Sequence, residues 1–189
     1  MRRVAQTLAI RVLADAFQNE TYAFRNPREI NINQIISTVS KNGYVMAQEY
    51  IPEVKKGDKR LMLLNGTPIF IGRRAAMYRR MSAKGEIRAN MHVGGTRKTV
   101  EFTKVEAAIA ETIRPKLIAD GLYFVGADIV GNKLLEINVF CPGGINNINE
   151  LYDINVGEYV IQDLEKRVRI WKTHYSSSDA YSMARAASL

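Results

Sequence analysis

The chain has 189 residues, 47% apolar and 24% charged, with 27 Lys+Arg against 19 Asp+Glu. That composition excludes a disordered tail, a collagen-like repeat and a coiled coil, and the length suits one domain of roughly 100–200 residues. A single cysteine, Cys141, excludes an internal disulfide, and no run approaches the roughly 18 consecutive apolar residues of a membrane span, so a soluble cytoplasmic chain is expected.

Along the chain, Val4, Leu8, Val12 and Leu13 predict an amphipathic helix at the N-terminus, followed by an extended stretch over 22–25. Asn26, Pro27 and Glu29 then supply an N-cap, a first-turn proline and the N3 acid of a capping box. The helix they open carries Ile32, Ile35, Ile36 and Val39 on one face and stops at Gly43. A strand over 44–51 and a turn over 52–57 follow. Residues 59–64 and 67–71 form a hairpin around Asn65-Gly66, a strong two-residue turn signal. Residues 79–98 read as a basic loop containing Gly85, Gly94 and Gly95. A second capping box, Thr103 to Glu106, opens a helix with Val105, Ile109, Ile113 and Leu117 on its buried stripe, ending at Gly121.

Residues 122–139 predict two strands, and 141–144 a glycine-rich loop. A helix over about 155–170 carries Val160, Ile161, Leu164 and Val168, and a frayed tail begins at His174. Mixed helices and hairpin-joined strands point to an α+β fold with an antiparallel sheet.

Charge is unevenly distributed. Between Lys55 and Lys98 stand twelve basic residues and two acidic ones, Asp58 and Glu86, so the rest of the chain is slightly acidic. Such a stretch attracts phosphates, a nucleic acid or an acidic substrate, or is simply a solvated basic face.

The segment from Gly126 to Val139 bears the most chemistry. Asp128, Glu136 and Asn138 interrupt strands that otherwise read as core. A two-residue turn, Gly131-Asn132, would set Asp128 opposite Leu135; a three-residue turn, Gly131 to Lys133, sets it opposite Glu136 and sets Asn138 opposite Gly126. Only the longer turn gathers Val125, Ala127, Ile129, Leu135, Ile137 and Val139 on one apolar face, so the three-residue turn is predicted. Two carboxylates and an amide then converge, and like charges so close call for a proton or a hard divalent cation. A solvated hairpin face is the plainer alternative. His92 and His174 are isolated, and Cys141 reads as a packed thiol.

Six segments in unbroken order carry a resemblance: Met46 to Glu53, Lys56 to Arg60, Gly85 to Asn90, Gly94-Gly95, Phe124 to Ile129 and Leu135 to Val139. Over about residues 26–168 the chain resembles bacterial glutathione synthetase, of the ATP-grasp family. The resemblance implies a cytoplasmic ligase that uses ATP and Mg2+, or Mn2+ in its place, to phosphorylate a carboxylate, after which an amine attacks the acylphosphate. The implied substrates are γ-glutamylcysteine and glycine.

By the same resemblance Asp128, Glu136 and Asn138 are metal ligands, Asn138 also touching the nucleotide. Gln48, Glu49, Tyr50 and Ile51 form the strand that meets adenine, and Asp58 lies near the nucleotide. Arg60 and Arg88 hold the transferring phosphoryl group, while Asn90, Gly94 and Gly95 belong to a flap over the substrate.

Family members carry a separate N-terminal domain and a glycine-rich phosphate loop with nucleotide-binding lysines before the equivalent of Asn26, and the first 25 residues hold nothing similar. The expected organisation is therefore a helix or linker over 1–25, the C-terminal part of an ATP-grasp domain over 26–172, and a flexible tail over 173–189. Another ATP-grasp amino-acid or peptide ligase, and an inactive binding module of this fold, are the nearest alternatives. A nucleic-acid-binding domain would place Arg73, Arg74, Arg79 and Arg80 on phosphates, but the stretch has few aromatic side chains for base stacking. A homo-oligomer and a separate N-terminal domain are left open as partners.

Overall fold

The computed structural model describes residues 10–13, 21–24, 33, 34, 37, 46–49, 51–81, 95–140 and 142–174. The chain divides into two compact units, Met1–Pro52 and Glu53–Leu189. In the first, β1 (Ile10–Leu13) is the central strand of an antiparallel sheet between β2 (Thr21–Phe24) and β3 (Met46–Glu49). Residues 10–13, expected within the N-terminal helix, are thus a strand. Hydrogen-bonded ladders on both edges override helical periodicity in a stretch that contains β-branched Ile10 and Val12. Residues 33, 34 and 37 are helical as expected. The caps read at Asn26, Pro27, Glu29 and Gly43 lie outside the described residues.

The second unit is built on an antiparallel sheet in the order β11-β10-β4-β8-β9. These strands are β4 (Asp58–Leu64), β8 (Met77–Met81), β9 (Thr96–Lys98), β10 (Phe124–Val130) and β11 (Lys133–Asn138). β5 (Thr67–Pro68) pairs with β4, and β6 (Phe70–Ile71) pairs with β7 (Arg74–Ala75) as a separate ribbon. The turn between β4 and β5 is Asn65-Gly66, with φ of 50° and 74°, as a two-residue hairpin requires. Gly66 is also needed for space, because a Cβ there would lie 2.7 Å from Cγ of Arg114. Residues 79–98 are not a loop throughout: β8 and β9 pair, with Arg79 opposite Lys98 and Arg80 opposite Arg97.

Strand alternation gives this sheet two different faces. One buries Leu61, Leu63, Met77, Val125, Ala127 and Ile129 beneath Ala110 and Leu117 of α1 (Lys104–Ala119). The other buries Met62, Leu64, Ala76 and Tyr78 beneath Ile148 of α2 (Ile145–Tyr152) and Val156 and Val160 of α3 (Val156–His174). Helix α2 stands between the glycine-rich loop expected over 141–144 and the helix expected from about 155, where no element was expected. Three asparagines in eight residues disguise it, while Ile145, Ile148 and Leu151 supply its packing stripe. Of the stripe expected on α3, Val160 is buried, but Ile161 and Leu164 are 55% and 38% exposed.

The capping box at Thr103 is present, its side chain accepting from the Val105 N–H and its own N–H donating to Glu106 Oε2 at 2.8 Å. Glu106 has a second partner: although fully buried, it forms an ion pair with Lys59 of β4. Burial pushes the Glu106 carboxyl up, but the bonds from Lys59 and Thr103 outweigh this and hold it below its ordinary value. Because the folded pKa is depressed, this stability is present above the unfolded value near 4.5 and is lost as pH falls through the folded one. Glu106→Gln keeps an N3 amide for the cap but leaves Lys59 without its counter-charge. A loss of about 3 kcal/mol at pH 7 is expected, with a shallower acid limb below pH 4.5, read by denaturant titration across pH. A wild-type acid limb in the variant would show that the pair contributes nothing.

Candidate functional site

Cross-strand neighbours in an antiparallel sheet point to the same side, so the register itself assembles a polar patch. Tyr78, Arg60, Asp128 and Glu136 stand directly opposite one another across β8, β4, β10 and β11. On one side of this row Arg80 faces Asp58; on the other Gly126 faces Asn138. All lie on the sheet face that α2 and α3 only partly cover.

The pairing of Asp128 with Glu136 comes about differently from the expected three-residue turn. The turn is two residues, Gly131-Asn132, with Val130 opposite Lys133 and Ile129 opposite Leu134. A register shift between Asp128 and Ile129 then makes Leu135 an extra residue on β11. The bulge restores the parity that the short turn would have reversed. It also changes the apolar face, since Leu134 rather than Leu135 packs against the core and Val139 is 48% exposed.

Asp128, 1% exposed, is the centre of the patch. Arg60 clamps it with a fork, Nε to Oδ1 and Nη2 to Oδ2, both at 2.7 Å, and Arg80 Nη2 reaches Oδ2 at 2.7 Å. Asn138 Nδ2 lies 3.2 Å from Asp128 Oδ2 and 3.2 Å from Glu136 Oε1. Burial pushes the Asp128 carboxyl up, but bonds from Arg60, the charges of Arg80 and Arg60, and the contact with Glu136 hold it below the ordinary carboxylate range. Arg80 is itself anchored by Asp58, through Nε to Oδ1 at 2.9 Å and an ion pair at Oδ2. Its guanidinium is driven further toward the charged form: burial opposes this, and the bonds and charges of Asp58 and Asp128 overcome it. For Asp58 burial wins, so its carboxyl is raised despite Arg80.

The glycines open the patch. A Cβ on Gly126 would stand 3.3 Å from Cβ of Pro142 and 3.5 Å from Cδ of Arg60, and the Gly143 carbonyl accepts from Arg60 Nη1 at 3.1 Å. Among the described residues no group of three or more His, Cys, Asp or Glu side chains gathers for a metal. The oxygen donors that do converge are the two carboxylates and the Asn138 amide, a set suited to Mg2+ or Mn2+ rather than to Zn2+. Asn138 Nδ2, equidistant from both carboxylates, shows that one atom can reach both at once.

Asp58, Arg60, Asp128, Glu136 and Asn138 are therefore brought together. Gln48 and Glu49 lie on β3 of the first unit, and Ile51 follows that strand. Gly95 is half-buried just before β9. Tyr50, Arg88, Asn90 and Gly94 lie outside the described residues. Sequence reasoning missed Arg80 as part of the cluster; its signal was the Asp58–Arg80 pairing, which needs the β4–β8 register. Some of the basic stretch is also engaged within the fold. Lys59 is paired with Glu106, Arg79 donates to the Lys56 carbonyl, Arg97 is bound to Asn147 and Glu150, and Arg74 stacks over Tyr152.

The interdependence of Asp58 and Arg80 is testable. Arg80→Gln strands a buried carboxylate and is expected to cost about 3 kcal/mol, whereas adding Asp58→Asn should recover much of it. Additive losses in the double-mutant cycle, measured by urea unfolding, would show the two do not act as a pair.

The profile of the prokaryotic glutathione synthetase ATP-grasp domain matches residues 15–153. Glutathione synthetase of Synechocystis sp. is 41% identical over 150 residues, covering 78% of this chain and 45% of the relative. That of Synechococcus elongatus is 37% identical over 151 residues, covering 79% and 45%, and that of Vibrio parahaemolyticus 36% over 141 residues, covering 74% and 43%. The chain thus spans somewhat under half the length of these relatives. With a profile match over most of its length and identity of this order, the chain belongs to the prokaryotic glutathione synthetase ATP-grasp family.

Proposed function

We propose that this chain supplies the cation- and phosphate-handling part of an ATP-dependent carboxylate–amine ligase that joins γ-glutamylcysteine and glycine. In that reaction the γ-phosphoryl group of ATP passes to the carboxylate, giving an acylphosphate and ADP. The amine nitrogen then attacks the acyl carbon, phosphate departs, and the amine loses a proton. The observation that carries the reading is the meeting of Asp128 and Glu136 at one Asn138 atom, with Arg60 alongside.

In this reading Asp128, Glu136 and Asn138 hold Mg2+, or Mn2+ in its place, which when bound offsets charge on the nucleotide phosphates. Arg60, with Arg88, neutralises the transferring phosphoryl group; positioning and electrostatics are most of what a protein contributes to such a transfer. Asp58 acts through Arg80 to keep Asp128 ionised. Gln48 to Ile51 meet adenine, and Asn90, Gly94 and Gly95 serve the substrate. Residues 26–172 are the ATP-grasp portion, and a cytoplasmic site of action goes with ATP as co-substrate. Among the described residues no helix is long and apolar enough to cross a membrane.

Calorimetric titration of a non-hydrolysable ATP analogue, with and without Mg2+, tests the nucleotide reading. Mg2+-dependent binding is expected, weakened on the order of tenfold or more by Glu136→Gln. Binding that ignores both Mg2+ and Glu136 would remove the cation site from the proposal.

A further inference from the structure

Oδ2 of Asp128, the oxygen that shares Asn138 Nδ2 with Glu136, already meets more donors than it has lone pairs. A carboxylate offers about four lone-pair sites over its two oxygens. Oδ2 alone meets three nitrogens, Arg60 Nη2 and Arg80 Nη2 at 2.7 Å and Asn138 Nδ2 at 3.2 Å, while Oδ1 meets Arg60 Nε at 2.7 Å. A Mg2+ ion needs a carboxylate oxygen at roughly 2.0–2.1 Å, with no hydrogen between. On Oδ2, the oxygen nearest Glu136's shared neighbour, it can take that place only if donors leave, and a bare dication approaching two guanidinium groups is repelled as well.

The two arginines are not equally free to leave. Arg80 is tied to a second carboxylate, Asp58, by two contacts. Among the described residues, Arg60 has only the Gly143 carbonyl beyond Asp128, a neutral acceptor at 3.1 Å. The Asn138 amide can turn about its terminal torsion and present oxygen in place of nitrogen. Arg60 is therefore the group whose departure opens Asp128, and an anionic phosphate chain is the ligand able to draw it away.

We propose that Arg60 gates the cation position: it occupies Asp128 until nucleotide phosphates draw its guanidinium off, so the divalent cation binds with the nucleotide and poorly without it. The inference rests on the reading of Asp128, Glu136 and Asn138 as cation ligands. Binding coupling is reciprocal, so the cation in turn tightens nucleotide binding by the same factor.

The experiment titrates Mn2+ into the full chain and follows free Mn2+ by electron paramagnetic resonance, alone and with a saturating non-hydrolysable ATP analogue, after correction for Mn2+ held by the analogue in solution. Wild type is expected to bind Mn2+ alone at least about tenfold more weakly than with the analogue. Arg60→Gln should bind Mn2+ alone about tenfold more tightly than wild type, and adding Glu136→Gln should abolish that gain. Arg60→Lys keeps the cation but loses the fork; it guards against a folding defect in the glutamine variant, and circular dichroism checks both. An intermediate gain is expected for it. Equal Mn2+ affinity with and without the analogue, unchanged by either Arg60 variant, overturns the gate while leaving the ligands standing. Absence of Glu136-dependent Mn2+ binding in every protein, with or without analogue, overturns the ligand reading and the gate together.

Discussion

The ionised carboxylate of Asp128, buried in the sheet and clamped by Arg60 and Arg80, is the constraint on which the second unit depends. A carboxylate taken out of water is costly unless its charge is matched and its lone pairs filled. Both conditions require β10, β4 and β8 in one register. Slipping β4 by one residue would turn Arg60 toward the apolar face under α1 and leave Leu61 among the charges. The cluster therefore penalises wrong registers more severely than the apolar pattern alone, in which Leu61, Met62, Leu63 and Leu64 are buried whichever face they occupy.

That run of four buried residues follows from the two-faced sheet. β4 is covered by α1 on one side and by α2 and α3 on the other, so it alternates in partner rather than in exposure. Its N-terminal end bears the charges: Lys59 points to Glu106 on one face, and Asp58 and Arg60 to the cluster on the other. Among the described residues each face thus has a buried electrostatic fastening beside its apolar contacts. The fastening under α1 doubles as a helix cap, while the other offers carboxylates, guanidinium groups and an amide at the edge of the helical cover.

Local signals in the sequence were legible: the Asn65-Gly66 turn, the Thr103 capping box and the place, though not the length, of the turn at Gly131 each depend on residues within four positions. The facing of Asp128 and Glu136 was also legible, but by a different route. The apolar pattern demanded an odd offset, and the chain meets it with a two-residue turn plus a bulge at Leu135. Periodicity reports the offset and not where the extra residue is placed, which is why Leu134 and Leu135 exchanged roles. The arginine clamp was hidden because its partners are 68 residues apart for Arg60 and Asp128 and 22 for Arg80 and Asp58. β1 was misread because four residues carry too little periodicity to weigh against ladders on both edges.

The basic surplus between Lys55 and Lys98 takes on a different meaning once the pairings are known. Read as a surface field, it suited any polyanion. In the fold, Lys59, Arg60, Arg80 and Arg97 each meet a carboxylate from Glu106, Asp128, Asp58 or Glu150. Three of those acids lie outside the basic stretch, and the slight acidity of the remaining chain supplies them. Part of the surplus is therefore a folding device, joining β4, β8 and β9 to α1, α2 and β10. A phosphate approaching the cluster meets cations with existing partners, and its binding is an exchange of one anion for another. Exchange favours a ligand that brings its own counter-cation for the carboxylate left behind, and a nucleotide with a divalent ion is that kind of ligand.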